Sequence, residues 1–117
     1  MRNFREYDIW KNAISLAKEV YLLTDQLPSS EKHGLISQVQ RVSVSIASNI
    51  AEGAARKSEK EFSHFLQIAL GSAFEVETQL ILAKELQFID DDTNLTELLE
   101  KLHILQRQIN YLTKKLK

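Results

Sequence analysis

The stretch over residues 35–77, LISQVQRVSVSIASNIAEGAARKSEKEFSHFLQIALGSAFEVE, decides the fold. Its first half repeats apolar residues at helical spacing through Leu35, Val39, Val42, Ile46 and Ile50. Small residues Ser43, Ala47, Ser48 and Ala51 flank that stripe and let a neighbouring backbone approach closely. Its second half repeats Phe62, Leu66, Ala69, Ala73 and Val76 in steps of four and three. Between the halves Ser58 and Glu61 form the Ser-x-x-Glu signature of a helix start. Two amphipathic helices on so short a connection run antiparallel.

Working outward, the same spacing fills the rest of the chain. A first helix is expected over about residues 8–25, with Trp10, Ala13, Ala17 and Val20 inward and Ile14 and Tyr21 beside them. Pro28 ends it, because proline disfavours helix in the residue before it. Ser29 or Ser30 then caps the second helix, which runs to about residue 55. The third stripe continues through Leu80 and Ala83 until FIDDDTN interrupts it near residue 90. A fourth helix carries Leu95, Leu98, Leu102, Leu105, Ile109, Leu112 and Leu116, the most coiled-coil-like rhythm in the chain. One proline and three glycines are too few to punctuate an all-β fold. The expectation is an all-α, antiparallel up-down-up-down four-helix bundle, one domain over residues 1–117.

The apolar pattern overflows one stripe. Ile9, Leu16 and Leu23 form a second heptad row on the first helix, and Phe74, Ile81 and Phe88 one on the third. Two readings stand: a broad core-facing stripe, or a subunit interface.

With 117 residues, 44% hydrophobic and 26% charged, the chain is long enough for a real core. It has no cysteine, which fits a cytoplasmic home. The N-terminal MRNFREYDIW has neither the apolar run nor the cleavage site of a signal peptide. No uninterrupted apolar run reaches the ~18 residues of a membrane span. Net charge is −1, against a strongly basic nucleic-acid binder. The halves differ mildly: residues 1–57 hold eight Lys/Arg and six Asp/Glu, the remainder seven and ten.

No catalytic constellation emerges. Glu-x-x-His occurs twice, at Glu61/His64 and Glu100/His103, as in di-iron bundles. Glu100 and His103 lie off the leucine stripe, however, and His64 sits at another depth, since position 103 falls opposite about 77. Glu61 already has a capping role. No metal and no cofactor is expected. His33, beside Gly34, has no nucleophile partner and reads as a surface or capping residue. Gly53 marks a bend or a close helix approach, and Gly71, inside a helix, marks close packing.

A polar set interrupts the apolar stretch. Antiparallel register puts Arg41 opposite Ser72 and Glu75, and Gln38 opposite Glu75. The expectation is a buried Arg41–Glu75 ion pair completed by Gln38 or Ser45, whose breakage costs about 3–5 kcal/mol. Asn49 and Glu52, one turn apart near Arg56, read as a capping and register network. Arg56, Lys57 and Lys60 at one turn, with Lys114, Lys115 and Lys117 at the C-terminus, share one end of an antiparallel bundle. They are the candidate phosphate contacts, although lysines at a helix C-terminus also complement its dipole.

The run SVSIASNIAEGAARKSEKEFSHFLQIALGSAFE, with FREYDIWKNAISLAKEVYLLT before it, resembles bacterial four-helix-bundle proteins encoded in 23S rRNA intervening sequences. The likeness covers residues 4–89. It implies cytoplasmic bundles assembled as ring-shaped homopentamers, with an RNA-associated role suggested by gene location. The accessory protein of diversity-generating retroelements is similar in shape and binds nucleic acid. The family's signature positions fall on Arg41, Ser45, Asn49, Glu52, Gly53, Arg56, Phe62, Phe65, Gly71, Ser72 and Glu75. Three residues depart from its pattern: Val42 for alanine, Ala47 for proline, and Leu70 for an arginine, which removes a positive charge. Ala47 should leave the second helix straighter than proline would. The expected protein is therefore a non-enzymatic homo-oligomer associated with RNA. The alternatives are a protein-protein assembly module and, last, a metal-dependent enzyme.

Overall fold

The computed structural model describes residues 2–27, 29–31, 34–90 and 92–116. Four helices dominate: α1 (Asp8–Thr24), α2 (Leu35–Ala54), α3 (Glu59–Glu85) and α4 (Asp92–Lys115). Short 3-10 turns occupy Phe4–Glu6 and Ser29–Glu31, and no strand occurs among the described residues. α1 packs on α2 and α4, and α3 packs on α2 and α4, with no close backbone approach across the diagonals among the described residues. The four rods therefore stand at the corners of a square and alternate in direction, an up-down bundle 43 Å long.

Local chemistry explains the helix ends. Ser58 Oγ accepts from the Glu61 N–H at 3.1 Å and donates to Glu61 Oε1 at 3.1 Å, so the expected capping pair opens α3. At the far end Phe88 N–H bonds Ala83 O at 2.9 Å, with Gln87 left-handed at φ 63°. This is a Schellman closure built on glutamine rather than glycine. α2 starts later than expected: Ser29 and Ser30 form their own turn, and Gly34 occupies the N-cap with no side-chain bond. α1 ends at Thr24, ahead of the proline. Pro28, His33 and Lys117 lie outside the described residues.

The core matches the expected stripe of α3 residue for residue: Phe62, Leu66, Ala69, Ala73, Val76, Leu80 and Ala83 are buried. α4 matches through Leu95, Leu98, Leu102, Leu105 and Ile109, while Leu112 and Leu116 are half-buried. α1 is rotated from its expected face. Ile9, Leu16 and Leu23 are core residues alongside Ala13 and Val20, whereas Trp10 and Ala17 are half-buried and Ile14 and Tyr21 exposed. α1 touches two neighbours, and its buried arc bisects the two contacts. The Ile9 row is thus core, not interface. The Phe74 row differs: Phe74 and Ile81 are exposed on α3.

α3 is the one helix among the described residues long and apolar enough to cross a membrane by length and composition. Its apolar stripe is instead spent on α2 and α4.

Candidate functional site

Two polar regions and one charged end carry the candidate chemistry. The first is the outer seam between α2 and α3. Ser45 Oγ donates to Ser72 Oγ at 2.9 Å, and Asn49 Nδ2 donates to Ser45 O at 2.8 Å. Ser72 therefore meets Ser45 rather than Arg41, one turn further along α2 than the expected register, and Arg41 stays near the level of Glu75.

Depth overturns the rest of that expectation. Arg41, Gln38 and Glu75 are exposed, and no ion pair joins Arg41 to Glu75. Arg41 reaches only Ser37 Oγ, at 3.5 Å. Val42, Ala73 and Val76 fill the layer between the helices, so both charges stay on the rim, where hydration is cheaper than burial. The polar side chains that are buried are others. Thr24 Oγ1 donates to Val20 O at 2.8 Å and accepts from Gln40 Nε2 at 3.0 Å. Ser43 Oγ donates to Gln40 O at 2.8 Å.

The second region joins α3 to α4. Gln106 Nε2 donates to Glu77 Oε1 at 2.9 Å, and His103 Nε2 lies 3.1 Å from Glu77 Oε2. Position 103 does fall opposite 77, but His103 is half-buried and engaged rather than free in solvent. Gln106 donation, then the His103 contact and its charge, hold Glu77 below the ordinary 4.5 against an opposing burial effect. A lowered folded value means the ionised carboxylate stabilises the fold fully above the unfolded value. That stabilisation is lost as pH falls through the lower folded value. Acid unfolding followed by circular dichroism should therefore be less steep for Glu77→Gln than for the parent below about pH 4.5. Identical acid profiles would show that the carboxylate contributes nothing.

No group of three or more His, Asp or Glu side chains converges as a metal site among the described residues. Gly71 also departs from expectation: a Cβ there meets nothing within 4 Å, so no close packing demands it. At Gly53 a Cβ would lie 2.7 Å from Phe65 Cβ, the close approach anticipated.

The charged end gathers the α2–α3 turn, the N-terminal turn and the end of α4. Asn12 Nδ2 donates to Gln108 Oε1 at 2.9 Å, and Lys101 Nζ pairs with Glu19 at 2.8 Å, fixing α1 and α4 antiparallel. Continuing that register brings Lys114 and Lys115 level with the N-terminal turn. Arg2 Nη1 donates to Arg56 O at 2.6 Å and Ala54 O at 3.4 Å, capping α2, while its guanidinium stacks 4.8 Å from the Phe62 ring.

Arg56 is structurally committed. It pairs with Glu52 at 2.8 Å, covers the Phe65 ring at 4.7 Å, and has a buried, unpartnered Nε. Of the expected Asn49–Glu52–Arg56 set, Arg56 pairs with Glu52, while Asn49 bonds the Ser45 carbonyl instead. Lys57, Lys60 and Lys114 are exposed, and Lys115 lies 4.8 Å over the Tyr111 ring. Arg5 stacks on Phe4 at 4.6 Å beside them. Glu6, Asp8, Glu59 and Glu61 share this end, so its positive field is partly offset.

Arg2 escaped sequence reading because its partners lie more than fifty residues away. Gln106 was findable: a glutamine directly after Leu105, inside a leucine stripe, calls for a polar partner.

Fold and side-chain placement together define an all-α up-down bundle with a polar α2–α3 seam and a mixed-charge, lysine-rich end. The chain belongs to the 23S rRNA-intervening sequence protein family, whose model matches residues 5–111. No curated protein matches it.

Proposed function

We propose that this chain is a non-enzymatic, homo-oligomeric bundle that binds or scaffolds RNA, working in the cytoplasm. The single observation that carries the RNA reading is the convergence of Arg2, Arg5, Lys57, Lys60, Lys114 and Lys115 at one end of the rod. Exposed lysines on flexible stems suit phosphate contact without base readout. Arg56 serves that end by shaping the turn, since its guanidinium is taken up by Glu52 and Phe65. Exposed Ile14, Val44, Phe74 and Ile81 support self-association, with the pentamer of the family likeness as the expected assembly.

Fluorescence anisotropy with a labelled RNA hairpin tests the reading. Phosphate contact predicts binding that weakens steeply with salt, each neutralised phosphate adding roughly 0.7–0.9 to the log–log slope. Reversing Lys57, Lys60, Lys114 and Lys115 to glutamate should abolish binding at about 100 mM salt. No affinity of the parent protein even at about 20 mM salt would refute RNA binding and leave a protein-protein assembly module.

A further inference from the structure

Two apolar surfaces face opposite sides of the bundle, and their shapes differ. One is a mostly apolar groove between α1 and α2, lined by Trp10, Ile14, Ala17, Val44, Ala47, Ser48 and Ala51. Its floor is alanine, and its walls are Ile14 at 46% and Val44 at 44% exposure. The other is a ridge: Phe74 at 53% and Ile81 at 43% exposure stand out from α3. They lie on the side of α3 that carries Glu77 toward α4. Because α1 and α3, like α2 and α4, stand diagonally with no close backbone approach among the described residues, the α1–α2 face and the α3–α4 face are opposite sides of the square.

We infer that the Phe74–Ile81 ridge of one copy docks into the α1–α2 groove of a second copy, a head-to-tail contact. The inference deepens the self-association reading above and rests on it. Spacing fits: seven residues separate Phe74 from Ile81 on the ridge, and likewise Trp10 from Ala17 and Val44 from Ala51 along the groove. Each interval is about 10.5 Å of helix. Charge fits as well. Lys11 and Lys18 lie one turn either side of Ile14, and Arg41 one turn before Val44, so exposed cations rim the groove. Exposed Glu85 lies one turn beyond Ile81 and partly exposed Glu77 one turn beyond Phe74, while the neighbouring Lys84 is paired with Asp92 at 3.7 Å, so the rim of the ridge carries an excess of carboxylate. Arg41, exposed and loosely held within its own chain, thereby gains a carboxylate across the contact. Groove and ridge are different surfaces, so the contact is heterologous and repeats until it closes as a ring or extends.

The chain has no cysteine, which makes mixed cross-linking clean. Purified Val44→Cys and Phe74→Cys chains, mixed and treated with a short bismaleimide, should link to each other; neither should link to itself. Light scattering should show the parent as an oligomer and Phe74→Lys as a 13.5 kDa monomer with unchanged helix content by circular dichroism. Ile104→Lys, in the α1–α4 groove, should keep the parent's mass. An oligomer that survives Phe74→Lys, or single-cysteine chains that link to themselves, would overturn the head-to-tail contact while leaving self-association intact. A monomeric parent at micromolar concentration would overturn both.

Discussion

Phe62→Ala should destabilise the bundle by about 3–5 kcal/mol, the largest single-residue effect expected in this chain. Phe62 is fully buried and heads the largest side chains of the core. Its ring meets Tyr7 edge-on at 5.7 Å and lies under the Arg2 guanidinium at 4.8 Å. Truncation loses the transfer free energy of the ring and leaves a cavity where the N-terminal segment, α2 and α3 converge. It also unseats Arg2 from the α2 carbonyls that it caps. A small domain has about 5–15 kcal/mol in total, so a marginal parent would unfold outright. Urea unfolding followed by circular dichroism reads the change. Phe62→Leu keeps most of the bulk and should cost clearly less, so it serves as the variant that still folds. A loss below about 1.5 kcal/mol for Phe62→Ala would mean that the site collapses around the deletion or is less buried than described.

The second large effect separates two glycines that look alike in sequence. In either helix alanine gains about 1 kcal/mol over glycine by propensity. At Gly53 that gain is overwhelmed. The new Cβ would sit 2.7 Å from Phe65 Cβ, 3.0 Å from Phe62 Cδ1 and 3.2 Å from the Phe62 carbonyl oxygen. A Cβ and a carbonyl cannot swing aside as a flexible side chain can, so α2 and α3 must part. Overpacking of that kind costs roughly 1–3 kcal/mol and occasionally more. Gly53→Ala should therefore lose about 2 kcal/mol net, while Gly71→Ala, in open space, should gain up to about 1 kcal/mol. Thermal unfolding of the two variants beside the parent checks both signs at once. Equal shifts would refute the close approach of α2 and α3 at Gly53.

Much of the molecule was legible beforehand. The α3 stripe was readable because one row of apolar residues in steps of three and four leaves a single face to bury. Register was readable to within a turn: short turns force antiparallel neighbours, so position 103 opposite 77 followed from counting, while Ser72 met Ser45 one turn from the expected Arg41. Depth was not. Arg41 and Glu75 share a level, but whether a side chain points between two helices or along their rim is a matter of some tens of degrees of rotation. Periodicity cannot resolve that where small and polar residues flank the stripe. α1 failed for the same reason, with two adjacent apolar rows and only the second neighbour, α4, to choose between them.

By itself the sequence determined the number and order of the helices, their antiparallel sense and most of the residues of the core. Local spacing, turn length and the scarcity of helix breakers suffice for those. Only the tertiary structure decided which α1 row turned inward and that Gly53, not Gly71, is spatially required. It also decided that Arg2 and Arg56 brace the basic end, and that an apolar groove and an apolar ridge stand on opposite faces. These depend on helix rotation and on contacts between residues far apart in the chain, which arise only when all four rods compete for one core.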